Sequence, residues 1–505
     1  MGERPNVIIV GAGSAGSVIA RRLVDAGKRV LLLEAGGSDV NPVIQDPARL
    51  GEIWHSPDDW DYYTVPQPHA ADRRLHLPRG KVLGGSHSLN AMIYVRCAPQ
   101  DYDHWESLGN PGWGWKDVLP IFKKIEKYDG PASDLRGTDG LLDVTVDYPL
   151  NPIQRSIIDA AVQVGLEENP DYNGDHLDGV AREQVTVRDG ERLSTWRAYT
   201  EPVLDSPLIT VVTGAWVHRL LLDGTRVTGV EYEHGGELVQ AEADQVVLTA
   251  GAIDSPRILL RSGIGPADDL TRLGFDVVVD LPGVGKNLHD HLLSPVIFTT
   301  EREIDPPIPG TGITQSHLFW RSKPDLEVPD TQPIHFSVPM YQEWMEGPGS
   351  GFTLMGGIVS PSSRGTLTLA GSDPHAEILI DLNALADEGD LLALEASVRQ
   401  VREIGKADAL AAGWGARELY PGPDVDDDAS LRDYVRRTAI TYHHQVGTCK
   451  MGVDELAVVD PTLRVRGVSG LMVADASIMP RVTTGNTNAP TIMIGEKAAE
   501  FLLND

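Results

Sequence analysis

The stretch from Val7 to Glu34, VIIVGAGSAGSVIARRLVDAGKRVLLLE, constrains the fold more than any other part of the chain. The apolar run Val7 to Val10 predicts a buried strand. Gly11, Gly13 and Gly16 come next in G-x-G-x-x-G spacing. Val18, Ile19, Leu23 and Val24 then recur at helical spacing, and a second apolar run, Val30 to Leu33, ends in Glu34. Strand, glycine turn, helix, strand and acid in that order form a dinucleotide fingerprint. Gly11 can turn with φ > 0, since it has no Cβ to clash. Gly13, succeeded by Ser14 and Ala15, leaves room for a pyrophosphate, and Gly16 lets helix and strand pack closely. The helix start offers free N–H groups and partial positive charge to phosphates. Glu34, beside Ala35, is placed to accept hydrogen bonds from ribose hydroxyls. Its charge would repel a 2′-phosphate, which disfavours NADP. An ADP-containing cofactor is implied, with FAD and NAD both open.

The chain has 505 residues, enough for two or three domains. Hydrophobic residues make up 41% and charged residues 23%, a balance that predicts a packed protein rather than a disordered one. With 43 basic and 73 acidic residues, the net charge of −30 repels phosphate backbones and anionic lipid and argues against nucleic-acid binding. The cluster Asp424, Asp426, Asp427 and Asp428 reads as a solvated loop. No apolar run approaches the ~18–20 residues that span a bilayer. The first strand begins almost at Met1, and a cytoplasmic protein without a membrane segment is expected. Cys97 and Cys449 form neither a CxxC pair nor a disulfide framework. His289 and His291 form an HDH triplet that reads as a loop or packing feature, and no metal site is expected.

Two further strand-like runs end in functional-looking turns. Val246 to Ala250 leads into Gly251, and Leu471 to Ala474 leads into Asp475. Both predict strands of the first sheet with ligand-binding loops at their carboxyl ends. The cofactor domain is therefore discontinuous, and a helix over Ala489 to Leu503 is expected to pack on its sheet. In the middle, Pro306, Pro307, Pro309, Gly310 and Gly312 mark a loop. Gly356 to Leu369 reads as a hairpin turning at Ser360 to Gly365, and Asp390 to Ile404 has helical spacing.

Four more blocks join the fingerprint: PRGKVLGGSHSLNAMIYVR (Pro78 to Arg96), GAIDSPRILLRSGIG (Gly251 to Gly265), YHHQVGTCKMG (Tyr442 to Gly452) and DASIMPRVTTGNTNAPTIMIGE (Asp475 to Glu496). Together they resemble the glucose–methanol–choline (GMC) oxidoreductases from Val7 to the last helix. The Gly251 block fits the family signature at every specified position. The resemblance implies an α/β chain, α+β overall. A Rossmann-like FAD-binding domain would comprise 1–155, 190–295 and 441–505. A substrate domain on a mostly antiparallel sheet would comprise 156–189 and 296–440. It further implies that Gly84, Gly85, Ser86 and Asn90 lie along the pyrophosphate and isoalloxazine. Val217 would touch the adenine end through its backbone, and Ala250, Gly251, Asp475, Ala476, Asn486 and Thr487 would complete the cofactor site. Some members tether FAD through a histidine where Leu89 stands here, so non-covalent FAD is expected; His87 reads as a polar loop residue near the flavin. Gln445 stands where members usually have proline. His443 stands where choline-oxidising members typically have tyrosine, which weakens a choline reading.

The resemblance implies alcohol oxidation, with hydride passing to flavin N5 and the protein managing the hydroxyl proton. Histidine, with a pKa near ~6.5, falls about 9 short of a hydroxyl near ~15.7, a gap of roughly 12 kcal/mol. A base therefore needs a second donor and coupling to hydride departure. His444 as base and Asn486 as its partner stand at the family's pair positions, with Asn488 the competing asparagine. His443, Trp320 and Phe336 are expected at the substrate pocket. Tyr341, Trp344 and Phe352 read mainly as packing residues. The leading reading is oxidation of a primary alcohol of aryl-methanol or furan type, with electrons passing to O₂. The alternatives are a quinone- or carrier-linked dehydrogenase of a sugar, polyol or choline, and a non-redox lyase with structural FAD. An NAD dehydrogenase would share only the first thirty-odd residues.

Overall fold

The computed structural model describes residues 4–504. Its first sheet has five parallel strands, in the order Ile209–Val212, Val30–Leu33, Val7–Val10, Gln245–Leu248 and Leu471–Val473. Val7–Val10 sits in the middle because a strand buried on both faces is apolar at every position, and all four of its residues are buried. The runs expected around Val246 and Leu471 join this sheet as predicted. Gly16 holds the helix Ser14–Asp25 against the strand ends: a Cβ there would meet the Gly11 carbonyl oxygen at 2.0 Å.

The second sheet has seven strands, each paired antiparallel to its neighbours. Arg417–Tyr420, Leu292–Thr299, Phe352–Ile358, Ile334–Phe336, Thr314–Phe319 and Gly179–Arg182 run in that order, and Ile440–Thr441 also pairs with Leu292–Thr299. The period of two divides its side chains. Val296, Phe298 and Leu354 join the main core, where the helix Glu388–Gly405 closes on them; Gly356 and Gly405 carry no Cβ, so Val398 and Phe298 come close. Leu293, Ile334, Phe336 and Met355 form a separate apolar cluster on the opposite face.

Several expectations change. Gly356 to Leu369 is not a hairpin: Phe352–Ile358 pairs within the large sheet, whereas Thr366–Leu369 pairs with Ile378–Asp381. The final helix, Asn488–Leu503, packs on the helix Ser14–Asp25 rather than on the sheet, with Gly495 fitted against Ala15. The expected breaks at 295 and 440 fall within strands, and the helix Pro152–Gln163 straddles the break at 155. Asp427 caps the helix Asp428–Thr438. Cys97 and Cys449 are buried free thiols. No helix among the described residues is long and apolar enough to cross a membrane.

Candidate active site

One elongated pocket opens at the carboxyl ends of the parallel strands and runs to the apolar face of the antiparallel sheet. Three helices begin on it: Ser14–Asp25, Gly251–Arg261 and Asn488–Leu503. None is capped by the side chain of its own N-cap residue, although Asp475 takes the Gly251 N–H. The remaining first-turn N–H groups and their partial positive charge converge on one place, a ready site for phosphates. Gly251, at φ +85°, has no atom within 4 Å of where a Cβ would stand. Asn488 Oδ1 accepts a hydrogen bond from Ser14 Oγ at 2.6 Å, joining two of the helix starts.

Glu34 is buried on the wall, where its carboxylate accepts from Ala12 N at 2.9 Å and Gly36 N at 2.8 Å. A carboxylate has about four acceptor positions, so two remain for hydroxyls. Burial pushes its pKa up to about 7 against the pull of those amides. Asp475 accepts from Gly251 N at 2.9 Å and Ser255 Oγ at 2.6 Å, which fixes the loop after the last parallel strand.

At the other end, His444 Nε2 faces Asn486 Nδ2 at 3.2 Å. Asn486 Oδ1 accepts from Gln332 Nε2 at 2.8 Å, so the amide NH₂ is turned to the imidazole. Behind the ring, His444 Nδ1 meets His291 Nδ1 at 3.0 Å. Two ring nitrogens share a hydrogen bond only as donor and acceptor. Since the Asn486 amide donates to Nε2, the His444 proton sits on Nδ1, and Nε2 keeps the lone pair of a base. Asp290 clamps the backbone by accepting from His444 N at 2.7 Å, and its other oxygen accepts from Gln445 Nε2. Burial pushes Asp290 up to about 7. Burial, then the neighbouring His291, His443 and Arg79, hold His444 well below the usual histidine range.

His443 adopts φ +66°, a left-handed conformation rare for a residue with a side chain. Its Nδ1 bonds Thr441 Oγ1 at 2.8 Å, its carbonyl accepts from Arg79 Nη2 at 2.6 Å, and its ring meets Trp54 edge-on. Burial pushes it down to about 3. Leu293, Ile334, Phe336, Met340, Met355 and Ile440 line the space beyond.

Models of the GMC oxidoreductase family match residues 6–293 and 361–495. The chain belongs to the GMC oxidoreductases. It is 39% identical to an alcohol dehydrogenase [acceptor] of Pseudomonas putida and 40% identical to an oxygen-dependent choline dehydrogenase of Sinorhizobium fredii, in each case over 98% of this chain and 95% of the relative. It superposes on the crystal structure of pyridoxine 4-oxidase from Mesorbium loti with a TM-score of 0.95 at 35% identity, covering 99% of this chain and 100% of that one. It is thus a flavoprotein oxidoreductase of a family that acts on alcohols. The converging helix starts and the half-satisfied Glu34 fit FAD.

In this GMC oxidoreductase, Gly11, Gly13, Ser14, Ala15, Glu34, Ala35, Gly85, Ser86, Asn90 and Val217 all line the pocket. So do Ala250, Gly251, Asp475, Ala476, Asn486, Thr487, His443, His444 and Phe336. Three expected residues do not. Gly16 lies beneath the turn as a packing contact. Gly84 serves the turn behind the wall, at φ +90° and with its N–H bonded to Ala12 O. Trp320, bridged to Thr331, packs against the main core rather than with the apolar cluster that faces the pocket. His87 is buried behind the wall, its Nε2 bonded to Thr186 Oγ1 and its Nδ1 accepting from Thr195 N. Sequence reasoning missed Asp290 and His291. The HDH triplet that reads as packing is the support of His444. His289 does pack, accepting from Val482 N at 2.8 Å.

Proposed function

We propose that this protein oxidises a primary alcohol on an aromatic or furan body to the aldehyde, with FAD held non-covalently and electrons passed to O₂. The observation that carries the reading is the His444–Asn486 pair beside a pocket end lined by Leu293, Ile334, Phe336, Met340, Met355 and Ile440. FAD, when bound, supplies the acceptor for the hydride of the alcohol carbon. His444 Nε2 takes the hydroxyl proton, and the Asn486 amide donates to the same oxygen as its charge develops. His291 accepts from His444 Nδ1 throughout and steadies the imidazolium. The apolar wall excludes water, which strengthens these hydrogen bonds.

Among charged wall residues, Glu34, Asp254, Arg257 and Asp475 belong to the cofactor end, and Arg79 lies behind His443. No carboxylate among the described residues lines the apolar end to pair with a quaternary ammonium, which supports an uncharged ring over choline. The apolar lining there likewise disfavours a sugar or polyol. The similarity to a pyridoxine 4-oxidase supports an aryl-methanol and an oxidase. The similarity to an acceptor-linked alcohol dehydrogenase supports a second reading, in which a quinone or other carrier takes the electrons.

A panel of benzyl alcohols, furfuryl alcohols, sugars and choline, each read for peroxide and for reduction of an artificial acceptor, tests this. Aryl-methanols should give the highest kcat/KM with peroxide in step with product. Preference for choline would contradict the substrate reading. Turnover only with the artificial acceptor would contradict the oxidase reading. A panel in which no alcohol bleaches the bound flavin without oxygen would favour a lyase.

A further inference from the structure

His218 lies on the strand Ala215–Asp223, where the antiparallel register slips between Val217 and Arg219. Such a bulge re-aims a side chain. The His218 side chain is only 7% exposed, and its buried Nε2 makes no hydrogen bond. That nitrogen stands 3.5 Å from Glu233 Oε2, on the neighbouring strand Arg226–His234. His375, in the turn between Thr366–Leu369 and Ile378–Asp381, presents its Nε2 3.4 Å from the same oxygen. All three ligand atoms lie within 4.8 Å of one another.

These separations exceed the ~2.7–3.2 Å of an N–H···O hydrogen bond. They match the edge of a tetrahedron around zinc, about 3.3–3.4 Å for ligand bonds of ~2.0–2.1 Å. Two histidines and one glutamate are the three-ligand set that zinc accepts with a water in the fourth position. By contrast, His55, Asp61 and His76 also cluster, but there His55 Nδ1 already shares a hydrogen bond with Asp61 Oδ1 at 2.7 Å, and those two side chains are about half exposed.

We propose that His218, Glu233 and His375 bind one divalent transition-metal ion of the zinc and cobalt class. The ion would fasten the turn carrying His375 to the strand that brings Trp216 and Val217 into the pocket wall. The turn is already held nearby, since Arg261 Nη1 donates to the Ser372 and Asp373 carbonyls at 3.3 Å and 2.8 Å. The ligands are therefore brought together before an ion arrives. Trp216 packs edge-on against both rings, at 5.0 Å from His218 and 4.8 Å from His375. It couples the site to the pocket.

The test uses the FAD-loaded protein, stripped with chelator and titrated with Co²⁺ and then Zn²⁺. One equivalent of Co²⁺ should bind with the visible absorption of tetrahedral cobalt, and Zn²⁺ should displace it. Zn²⁺ should also raise the Tm. His375→Ala, a change at a mostly exposed ring, should keep its flavin and its metal-free Tm. It should weaken metal binding by more than roughly 100-fold, since even outer-shell partners cost ~10–100-fold. Glu233→Gln should weaken binding similarly. Absence of a stoichiometric Co²⁺ spectrum, or equal binding by His375→Ala, would overturn the proposal.

Discussion

Asn486 rather than Asn488 faces His444, and the two asparagines should separate in experiment. Asn486→Ala should slow flavin reduction by about 10²-fold or more with FAD retained, as removal of one donor aimed at the developing charge does. Asn488→Ala removes the partner of Ser14 Oγ and should loosen FAD instead. Flavin content and anaerobic reduction rate, measured on both variants, check this. The same site fixes a pH dependence. Only unprotonated His444 can take a proton, so a base held well below the usual histidine range keeps activity as the solution is acidified. The acid limb of kcat/KM should lie below a pH of about 6.5. Removing a nearby positive charge with Arg79→Met should move that limb upward. A wild-type limb at or above about 6.5 would contradict the assignment. His444 and Asn486 are legible in the sequence because each sits in a compact motif. Asp290 and His291 are not, because their meaning lies in contacts with a segment 153 and 154 positions away along the chain. Gln445 departs from the family's proline, and its amide donates to Asp290, a bond proline could not make.

The fingerprint element stands on close backbone approach. Gly16→Ala would press a methyl group into the Gly11 carbonyl oxygen at 2.0 Å and Thr249 Oγ1 at 2.7 Å. Overpacking of this kind costs about 1–3 kcal/mol, and the helix start would shift away from the pocket. Thermal unfolding and bound FAD should both fall. Gly251→Ala meets no atom but holds φ +85°, so it should cost about 1 kcal/mol through backbone strain alone. Elements of the parallel sheet are legible because a strand buried on both faces announces itself as an apolar run, and a glycine turn marks the helix beyond it. The stretch Gly356 to Leu369 misleads because two adjacent strands separated by a turn look like a hairpin whatever they pair with. Here Phe352–Ile358 finds Leu292–Thr299 instead, a choice made by the shape of the whole sheet.

Across the whole molecule, a buried ionic cluster ties distant segments together. Glu126 is fully buried and meets Arg96 and Arg136, while Arg136 continues to Asp171 at 2.6 Å. Gly137 N also donates to Glu126, at 2.7 Å. Glu126→Gln would leave the buried Arg96 guanidinium without its counter-charge and Arg136 with Asp171 alone, a loss of about 3–5 kcal/mol. Chemical denaturation of the FAD-loaded protein should show it as a lowered midpoint with little change in slope. Such a cluster is invisible in the sequence, where its charges are scattered among exposed ones. The reaction asks more of the molecule than stability: two sheets must hold a base and an alcohol against one cofactor edge. The most direct test is stopped-flow reduction of the bound flavin by benzyl alcohol without oxygen, comparing wild type with His444→Ala at equal flavin content. A fall of ~10²–10⁴-fold is predicted, the usual cost of removing a general base. Reduction at close to the wild-type rate would contradict the account.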